Sequence, residues 1–367
     1  VMTTFGNMLT QMYDLDYTMN KIMPFRNINL LSILPMNHLF EMTVGFSTFM
    51  QFGCSIFYTP SLKPNDILSI MREKHIQFMI VVPAFLKLLK TTTENEIKAR
   101  DKFAQLRFKI KFALSKYIPS YTIKRLLFRN YHKKFGGKFV GCISGGAPLD
   151  LNVGDFFERI GIKIYQGYGL TETSPVISIN VDRRGDLASV GKPLKSYEAK
   201  VVPETGELLV KGPSVMKGYH NMPELTAEVL SEDGWFATGD FGKIEGDLLY
   251  ITGRKKNLIV LKNGKNVYPE EIEEYIQNID GTGEVVVYAI KDADGSEVAL
   301  CAEIYPESSF SEGKTKEELH DYFEQKTDAA TAQLPGYKHV KSIVIRSEEF
   351  PKTTSRKIKR AGIGSNK

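Results

Sequence analysis

Two charged residues stand beside glycines in the stretch from Thr238 to Ile272, and their side chains suit a nucleotide. Asp240 follows Gly239, and Arg254 follows Gly253 after an apolar segment. A carboxylate accepts hydrogen bonds from two vicinal hydroxyls, such as those of a ribose, while a planar guanidinium binds a phosphate or a hydroxyl. Two surface β-turns with solvated charges would explain the same residues. Other parts of the chain have to decide between these interpretations.

Two glycine-bearing loops upstream offer further groups to the same kind of ligand. The first loop spans residues 144–148 and contains Gly145 and Gly146, while the second spans residues 167–173 and contains Tyr168. Glycine lets the backbone approach a flat ligand closely, and a tyrosine ring can stack on it. These residue types therefore indicate a planar ligand at the two loops.

The second loop ends in two side chains that suit phosphate chemistry. Thr171 could donate its hydroxyl to a phosphate oxygen, and Glu172 could ligate Mg²⁺, which prefers carboxylate and phosphate oxygens. Either loop alone is explained as well by a Gly-rich turn, a core tyrosine and a helix-capping Thr-Glu pair. Two such loops at one sheet edge favour a nucleotide.

The elements around these loops predict that they do share an edge. Strands are predicted at 139–143 and 162–166, with a helix at 150–159 between them. In such a β–loop–α–β–loop unit both loops leave the carboxyl ends of neighbouring strands, where open α/β sheets bind ligands. His38 follows a predicted strand at 29–34 in the same sense, so we expect it at that edge.

The remaining patterns define the fold class and the domain organisation. Continuous apolar strands alternate with helices in the first part, which predicts an α/β fold with a parallel, helix-covered sheet over residues 1–180. Short alternating strands predict a small β-barrel-like subdomain over residues 181–255. A compact α+β domain is predicted over residues 256–367. The first helix, Met2–Asn20, is predicted to carry Phe5 and Leu9, together with Met12, on its apolar face.

Composition is that of a globular protein. The 367 residues are 42% hydrophobic and 25% charged, and no apolar run approaches the ~18 residues of a membrane span. Cys54, Cys142 and Cys301 are odd in number and far apart, so we expect buried reduced thiols in a cytoplasmic protein. The first residue is Val, which predicts that an N-terminal part is missing.

The net charge of +5 hides a local cluster of basic residues. Residues 97–138 contain 13 Lys or Arg and one acid, Asp101. Apolar residues recur there at helical spacing, namely Phe103, Leu106, Ile110, Leu114 and Tyr117, followed after Pro119 by Ile123, Leu127 and Tyr131. Two such helices could bind an anionic membrane surface peripherally, or could be ordinary solvated helices packed on the core. We expect no nucleic acid partner, because no recognised binding motif accompanies the charge.

Four segments, taken in order, resemble the adenylate-forming (AMP-binding) superfamily. They are SGGAPL, YQGYGLTETSP, the stretch 238–272 and PKTTSRKIKR. The superfamily includes acyl-CoA synthetases, luciferases and the adenylation domains of peptide synthetases. The resemblance covers essentially the whole chain, and the ordered set is far more specific than any one segment.

The resemblance implies roles for individual residues. The family's adenine site corresponds to Gly146, Ala147, Pro148, Gln166, Gly167, Tyr168 and Gly169. Thr171 would contact the α-phosphate, Glu172 would bind Mg²⁺, and Asp240 would bind the ribose with help from Arg254. Lys357 would be the catalytic lysine that bridges acyl and phosphate oxygens.

Three further residues correspond to the carboxylate site, the hinge and the thiol tunnel. His38, in LPMNHLFE, would lie beside the carboxylate, Lys256 would be the hinge, and Gly264 would line the pantetheine tunnel. The implied cofactors are ATP, Mg²⁺ and coenzyme A. The C-terminal domain would be a mobile lid that rotates between an adenylation step and a thioesterification step.

The substrate that the resemblance favours is a long-chain fatty acid. The sequence His38-Leu39-Phe40-Glu41 and the basic insert ahead of SGGAPL look like the long-chain fatty acid-CoA ligases, ahead of medium-chain, aryl or succinylbenzoate acids as substrates. Two alternatives stay open: an acyl-AMP ligase that loads a carrier protein, and a non-catalytic nucleotide-binding or membrane-surface module.

Two departures from the family pattern bear on activity. The family's phosphate loop, which ends in Pro-Lys-Gly, is not found, so we expect this chain alone to bind ATP poorly and to be inactive. Arg356 stands where many relatives have Gly before the lysine. Long-chain fatty acyl-CoA synthetases often tolerate other residues there, so Lys357 keeps its predicted role.

Overall fold

The computed structural model describes residues 1–22, 27–59, 61–181, 186–292, 294–353 and 358–364. The α-helices are α1 Phe5–Ile22, α2 Phe49–Gln51, α3 Pro64–Glu73, α4 Pro83–Lys98, α5 Lys102–Ser115, α6 Tyr121–Leu127, α7 Arg129–Lys134, α8 Leu151–Ile160, α9 Pro223–Val229, α10 Pro269–Gln277, α11 Ser308–Ser311 and α12 Lys316–Thr331. A π-helix spans Glu41–Thr48, and 3₁₀ turns span Thr171–Thr173, Lys255–Asn257 and Gly336–Lys338.

The strands bear out the predicted α/β class. They are β1 Asn29–Ser32, β2 Ser55–Tyr58, β3 Phe78–Val81, β4 Gly141–Ser144, β5 Lys163–Tyr168, β6 Ser178–Ile179, β7 Lys192–Pro193, β8 Glu198–Val201, β9 Glu207–Lys211, β10 Phe236–Glu245, β11 Leu248–Arg254, β12 Ile259–Val260, β13 Asn266–Val267, β14 Thr282–Lys291, β15 Glu297–Pro306 and β16 Val340–Ile345.

The main sheet has the order β2-β1-β3-β4-β5-β6-β7 within the described residues. Strands β1 to β5 are parallel to their neighbours, whereas β6 and β7 add in antiparallel fashion. The register pairs Val81 with Ser144 and Ser144 with Gln166, so the carboxyl ends of β3, β4 and β5 lie level. We call this side of the sheet the carboxyl edge.

The core of the main sheet follows from its apolar strands and from one well-capped helix. All four residues of β3 are buried, as expected for a parallel strand covered on both faces. Helix α8 begins where Asp150 accepts hydrogen bonds from the backbone N–H groups of Asn152 and Val153, at 2.8 and 3.3 Å. This N-cap bears out the predicted helix start. Phe156 and Phe157 of α8 are buried against the sheet.

The predicted apolar face of α1 is wrong. Phe5 is 87% exposed and Leu9 is exposed, while Asn7 and Gln11 lie on the buried side. Asn7 Nδ2 donates to the carbonyl oxygens of Pro213 and Val215, at 2.7 and 2.9 Å, and Gln11 accepts from the backbone of Val176 at 3.2 Å. Hydrogen bonds between polar side chains and loop backbone thus hold the first half of α1, and Leu15 and Met19 are buried in its second half.

The second half of the chain is built from smaller sheets. A four-stranded sheet has the order β11-β10-β9-β8, and a three-stranded sheet has the order β14-β15-β16. Gly246 turns the β10–β11 hairpin with φ +64°, a conformation that favours glycine. Helices α10 and α12 bury Ile272, Ile276 and Phe323 in a core with the three-stranded sheet.

The chain folds into two compact units. The first comprises residues 1–202, 208–238 and 244–250, and the second comprises residues 203–207, 239–243 and 251–367. The predicted domain boundaries at 180/181 and 255/256 stay predictions.

Two compositional expectations can be compared with the structure. No helix in the described ranges is long and apolar enough to cross a membrane. The three cysteines are free; Cys142 and Cys301 are buried as predicted, whereas Cys54 is only half-buried. Burial raises the pKa of the Cys142 thiol well above its ordinary value, so this cysteine is an inert core residue.

Candidate active site

Three loops meet at the carboxyl edge, and Gly145 is their common point. A Cβ atom on Gly145 would lie 3.0 Å from the ring of Phe40 and 3.3 Å from the carbonyl oxygen of Gly167. Gly145 follows β4, Gly167 lies near the end of β5, and Phe40 lies on the segment after β1. A side chain at 145 would thus be in tight contact with both neighbouring segments, and glycine leaves room for the three loops to lie this close. His38 is two residues from Phe40 on the same segment, and its role beside the carboxylate stays a prediction.

The three glycines of the predicted adenine site have different surroundings. Gly146 has φ +83° and is exposed at the loop together with Ala147 and Pro148. A Cβ on Gly169 would lie 1.9 Å from the carbonyl oxygen of Pro175, so packing within the protein excludes any side chain there. A Cβ on Gly167 would meet only ordinary contacts at 3.8 Å or more. Packing therefore does not require glycine at 167.

The side chains around these glycines have different exposures. Gln166 is buried, and its Nε2 donates to the carbonyl oxygen of Leu187. Tyr168 is half-buried and pairs with Ser178 of β6. Thr171 is exposed at the start of its 3₁₀ turn. Tyr168 and Thr171 are thus at least partly accessible, while the Gln166 amide is used in holding residues 186–189 close to β5.

Glu172 is held by a residue that the sequence analysis missed. Tyr219 Oη donates to Glu172 Oε1 at 3.1 Å, and the Glu172 carbonyl accepts from the backbone of Met216 at 2.7 Å. Burial and the Glu172 charge raise the pKa of Tyr219 to about 12, so the phenol remains a donor at neutral pH. Tyr219 is 47 residues downstream of Glu172, and neither periodicity nor spacing in the sequence indicates that the two are in contact.

The Glu172 carboxylate fits a magnesium ligand. Oε1 accepts from Tyr219, and the half-exposed carboxylate still has lone pairs for a cation. Mg²⁺ in nucleotide sites is usually bound by one or two carboxylates together with substrate phosphates and water. A single carboxylate beside the exposed Thr171 hydroxyl matches that pattern.

A second acidic residue at this edge is buried. Glu41 has no exposed surface, and its Oε1 accepts from Ser32 Oγ at 2.6 Å at the end of β1. Gly45 lies opposite, since a Cβ there would come within 2.3 Å of the same carboxylate. Burial raises the pKa of Glu41 to about 7, partly offset by the Ser32 hydrogen bond. Sequence analysis noted Glu41 only within the motif HLFE and did not predict its burial.

Asp240 and Arg254, both in the second unit, form an ion pair. Arg254 Nε donates to Asp240 Oδ1 at 2.6 Å, and Nη2 lies 3.4 Å from Oδ2. The Asp240 side chain is 2% exposed, and that of Arg254 is 38% exposed. The segment 238–240 lies within β10 and is not the predicted turn, although Gly239 has φ +68° and bends the strand locally. The structure therefore brings together the two residues that were predicted to share a ribose.

Two of the remaining predicted residues lie on exposed turns of the second unit. Lys256 is exposed in the 3₁₀ turn after β11. Gly264 lies in the turn between β12 and β13 with φ +75°, and its N–H donates to the carbonyl oxygen of Leu261 at 2.7 Å. Lys357, like Arg356 before it, lies outside the described residues.

Comparison with known proteins identifies the family. Residues 1–220 match the family described as AMP-binding enzyme. The chain belongs to this family. Over 172 residues it is 42% identical to a chloroplastic long-chain-fatty-acid–[acyl-carrier-protein] ligase of Arabidopsis thaliana, covering 41% of this chain and 24% of that protein. Over 378 residues it is 29% identical to a long-chain-fatty-acid–CoA ligase of Haemophilus influenzae, covering 98% of this chain and 58% of that protein.

Solved structures of AMP-binding enzymes share the fold. The ATP-bound MatB of Rhodopseudomonas palustris matches with a TM-score of 0.71 and 26% identity over 96% of this chain and 62% of that one. This AMP-binding family member spans about a quarter to three fifths of the length of the curated relatives given above. The superfamily and the fold predicted from the four sequence segments are therefore confirmed.

Proposed function

We propose that this AMP-binding family member activates a carboxylic acid with ATP and transfers the acyl group to the thiol of coenzyme A. The observation that carries the proposal is the junction of three loops at Gly145, with Glu172 held by Tyr219 beside them. The junction lies at the carboxyl edge of a parallel sheet, the usual ligand position in such folds. The ATP-bound relative with the same fold supports the choice of nucleotide.

The proposed reaction has two steps. In the first, a carboxylate oxygen attacks the α-phosphorus of ATP and pyrophosphate leaves, which gives the acyl-adenylate. In the second, the thiol sulfur attacks the acyl carbonyl, AMP leaves, and the thiol proton is released. Thr171 and Lys357 would stabilise the charge on the α-phosphate oxygens in the first step, and Asp240 with Arg254 would orient the ribose. His38 would lie beside the carboxylate.

Glu172 would hold Mg²⁺, which supplies positive charge to the phosphate oxygens as pyrophosphate departs. The contribution of this chain is to orient the carboxylate. Tyr219 binds Oε1, and the Met216 hydrogen bond to the Glu172 carbonyl fixes the backbone. In a Tyr219→Phe variant we expect weaker Mg²⁺ dependence of nucleotide binding with little loss of stability.

The acid in this proposal is a long-chain fatty acid. Several relatives are named long-chain-fatty-acid ligases, including those from Haemophilus influenzae and Arabidopsis thaliana. The segment that carries His38 and Phe40 packs on the glycine junction, where an acid would have to meet the α-phosphate. A medium-chain or aryl acid is the competing substrate class.

The decisive experiment is acid-dependent exchange of labelled pyrophosphate into ATP. In a protein that carries the family's phosphate loop together with this chain, we expect exchange with long-chain fatty acids, and its loss in Glu172→Ala and Lys357→Ala variants. Exchange with aryl or short-chain acids alone would overturn the substrate assignment but leave the ligase function. If no carboxylic acid supported exchange, the ligase function itself would be rejected.

The second candidate acceptor is the phosphopantetheine thiol of a carrier protein. The Arabidopsis relative, named as an acyl-carrier-protein ligase, is the observation that favours it. Incubation of the protein with ATP, fatty acid and either coenzyme A or a holo acyl-carrier protein separates the two. Formation of acyl-CoA supports the proposal, whereas acyl transfer to the carrier protein alone would replace it with the second candidate.

A further inference from the structure

Helix α5 has apolar side chains on two opposite faces, and only one of these faces packs on the protein. Phe108 and Phe112 stack on each other with ring centroids 5.5 Å apart, and Phe108 meets the edges of Phe128 and Tyr131 at 5.6 and 5.2 Å. These contacts fix which side of α5 faces the core of the first unit.

The opposite face of α5 exposes the residues that the sequence analysis grouped together. They are 51–80% exposed, and they are Phe103, Leu106, Ile110, Leu114 and Tyr117. Ile123 and Leu126 of α6 are also more than half exposed. We call Phe103, Leu106, Ile110, Leu114 and Tyr117 the apolar stripe. Monomeric soluble proteins rarely expose contiguous apolar patches of this kind without a partner.

Exposed cations border the apolar stripe. Lys102, Lys109 and Lys116 are exposed and recur every seven residues, so they form a row along α5. At 3.6 residues per turn this row lies roughly 40–80° around the helix from Leu106, and Arg107 lies about 100° away on the other flank. An apolar band edged by lysines is the pattern of helices that lie in a lipid–water interface.

Other basic residues of the segment serve the fold. Lys111 Nζ donates to the carbonyl oxygen of Leu127 at 3.2 Å, and Lys124 Nζ donates to that of Glu158 at 3.2 Å. Arg125 donates to the carbonyl oxygen of Gly137 at 3.1 Å. These contacts hold α5 and α6 to the rest of the unit, whereas the three lysines of the row are exposed beside the apolar stripe.

We propose that the apolar stripe and the lysine row bind the interface of an anionic phospholipid bilayer peripherally, with the stripe among the acyl chains and the row at the headgroups. Charge complementarity selects this occupant, because the lysine row would lie against anionic headgroups while the stripe leaves water. A second copy docked on the same face would bring two lysine rows together, which is repulsive.

The test measures binding of the protein to vesicles by co-sedimentation. With 30% phosphatidylserine in phosphatidylcholine we expect strong binding, and with pure phosphatidylcholine much weaker binding. The triple variant Lys102→Glu, Lys109→Glu, Lys116→Glu reverses the charge of the row and should lower the partition coefficient at least a hundredfold. Each lost lysine accounts for about fivefold, and the new glutamates add repulsion from the anionic lipid. The double variant Leu106→Gln, Ile110→Gln should lower it at least tenfold on anionic vesicles.

Control variants change three lysines and one exposed leucine outside this face. Lys217→Glu, Lys316→Glu and Lys341→Glu change three exposed lysines elsewhere, and Leu225→Gln changes an exposed leucine of α9. These controls should bind vesicles like the wild type. If the row and control variants lost vesicle binding equally, net charge alone would explain the binding and the proposal would be overturned.

Two other outcomes would also overturn it. If wild-type protein formed dimers that Leu106→Gln, Ile110→Gln dissociated, and bound no vesicles, the stripe would be a self-association surface. If an acidic carrier protein bound the face and vesicles did not, it would be a protein-docking surface. Vesicle binding needs neither ATP nor acid, so its failure would leave the ligase proposal untouched.

Discussion

At the scale of single residues, alanine substitutions at two neighbouring glycines should have different effects, one on stability and the other on ligand binding. Gly169→Ala places a methyl group 1.9 Å from the Pro175 carbonyl oxygen, so we expect severe destabilisation, of about 3 kcal/mol or more. Gly167→Ala meets only contacts of 3.8 Å or longer, so the fold should stay within about 0.5 kcal/mol of wild type. In a protein that also carries the family's phosphate loop, Gly167→Ala should nevertheless weaken ATP binding, on the order of tenfold if the nucleotide lies against this strand end.

Urea denaturation followed by fluorescence of Trp235, the chain's single tryptophan, measures stability in the first unit. Calorimetric titration with ATP measures affinity. Unchanged ATP affinity in a well-folded Gly167→Ala protein would mean that the adenine does not lie against this strand end.

Glu41 predicts a pH dependence of stability in the same unit. Its pKa is raised from about 4.5 to about 7 in the folded protein, so folding favours the protonated carboxyl. The stabilisation is fully present below pH 4.5 and is lost as the pH rises to 7, on the order of 3 kcal/mol in all. Glu41→Gln keeps the shape and the neutral charge, and it should therefore lack this part of the pH dependence.

The measurement compares the free energy of unfolding of wild type and Glu41→Gln at pH 5 and pH 8. Because other groups titrate equally in both proteins, the difference between their pH profiles isolates Glu41. Parallel profiles would show that Glu41 is ionised in the folded state at both pH values.

At the scale of elements, α5 predicts opposite results for two phenylalanines of one helix. Phe108 packs on Phe128 and Tyr131, so Phe108→Ala should cost about 2–4 kcal/mol of unfolding free energy. Phe103 is 69% exposed, so Phe103→Ala should change it by less than about 0.5 kcal/mol. Chemical denaturation of both variants checks the assignment, and a larger loss in Phe103→Ala would reverse the faces of the helix.

The same helix shows where sequence patterns stop being informative. Helical spacing selected Phe103, Leu106 and Ile110, and that spacing is real, but α5 carries a second set in Phe108 and Phe112. Periodicity identifies a stripe without telling which side the core lies on. The prediction for α1 failed for a related reason, because the polar Asn7 and Gln11 lie on its buried side together with Leu15 and Met19.

Strands were more predictable than helix faces. Continuous apolar runs and the loops after them placed β4 and β5 side by side, and the parallel register follows from the helix between them. The shared carboxyl edge could thus be predicted from sequence. The contacts of Glu172 with Tyr219 and of Glu41 with Ser32 could not, since they join segments whose proximity only the folded chain creates.

At the scale of the whole molecule, the proposed function assigns different residues to two half-reactions in one chain. Thr171, Glu172 and Lys357 would serve adenylation, and Gly264 would serve the entering thiol. Gly264 has φ +75° and open space around it, and asparagine tolerates this conformation. Gly264→Asn should therefore keep the β12–β13 turn and place a side chain where the pantetheine arm would pass.

For Gly264→Asn we expect acid-dependent pyrophosphate exchange near the wild-type rate and at least a tenfold slower formation of the thioester. Gly295→Asn is the matched control, because Gly295 also has φ +80°, open space and a position on a turn of the second unit. It should leave both steps unchanged. Lys357→Ala should show the reverse split, with exchange lost and thioester formation from supplied acyl-adenylate retained. Equal loss of both steps in Gly264→Asn would place this turn outside the thiol path, because a thiol-path residue acts only after the adenylate has formed.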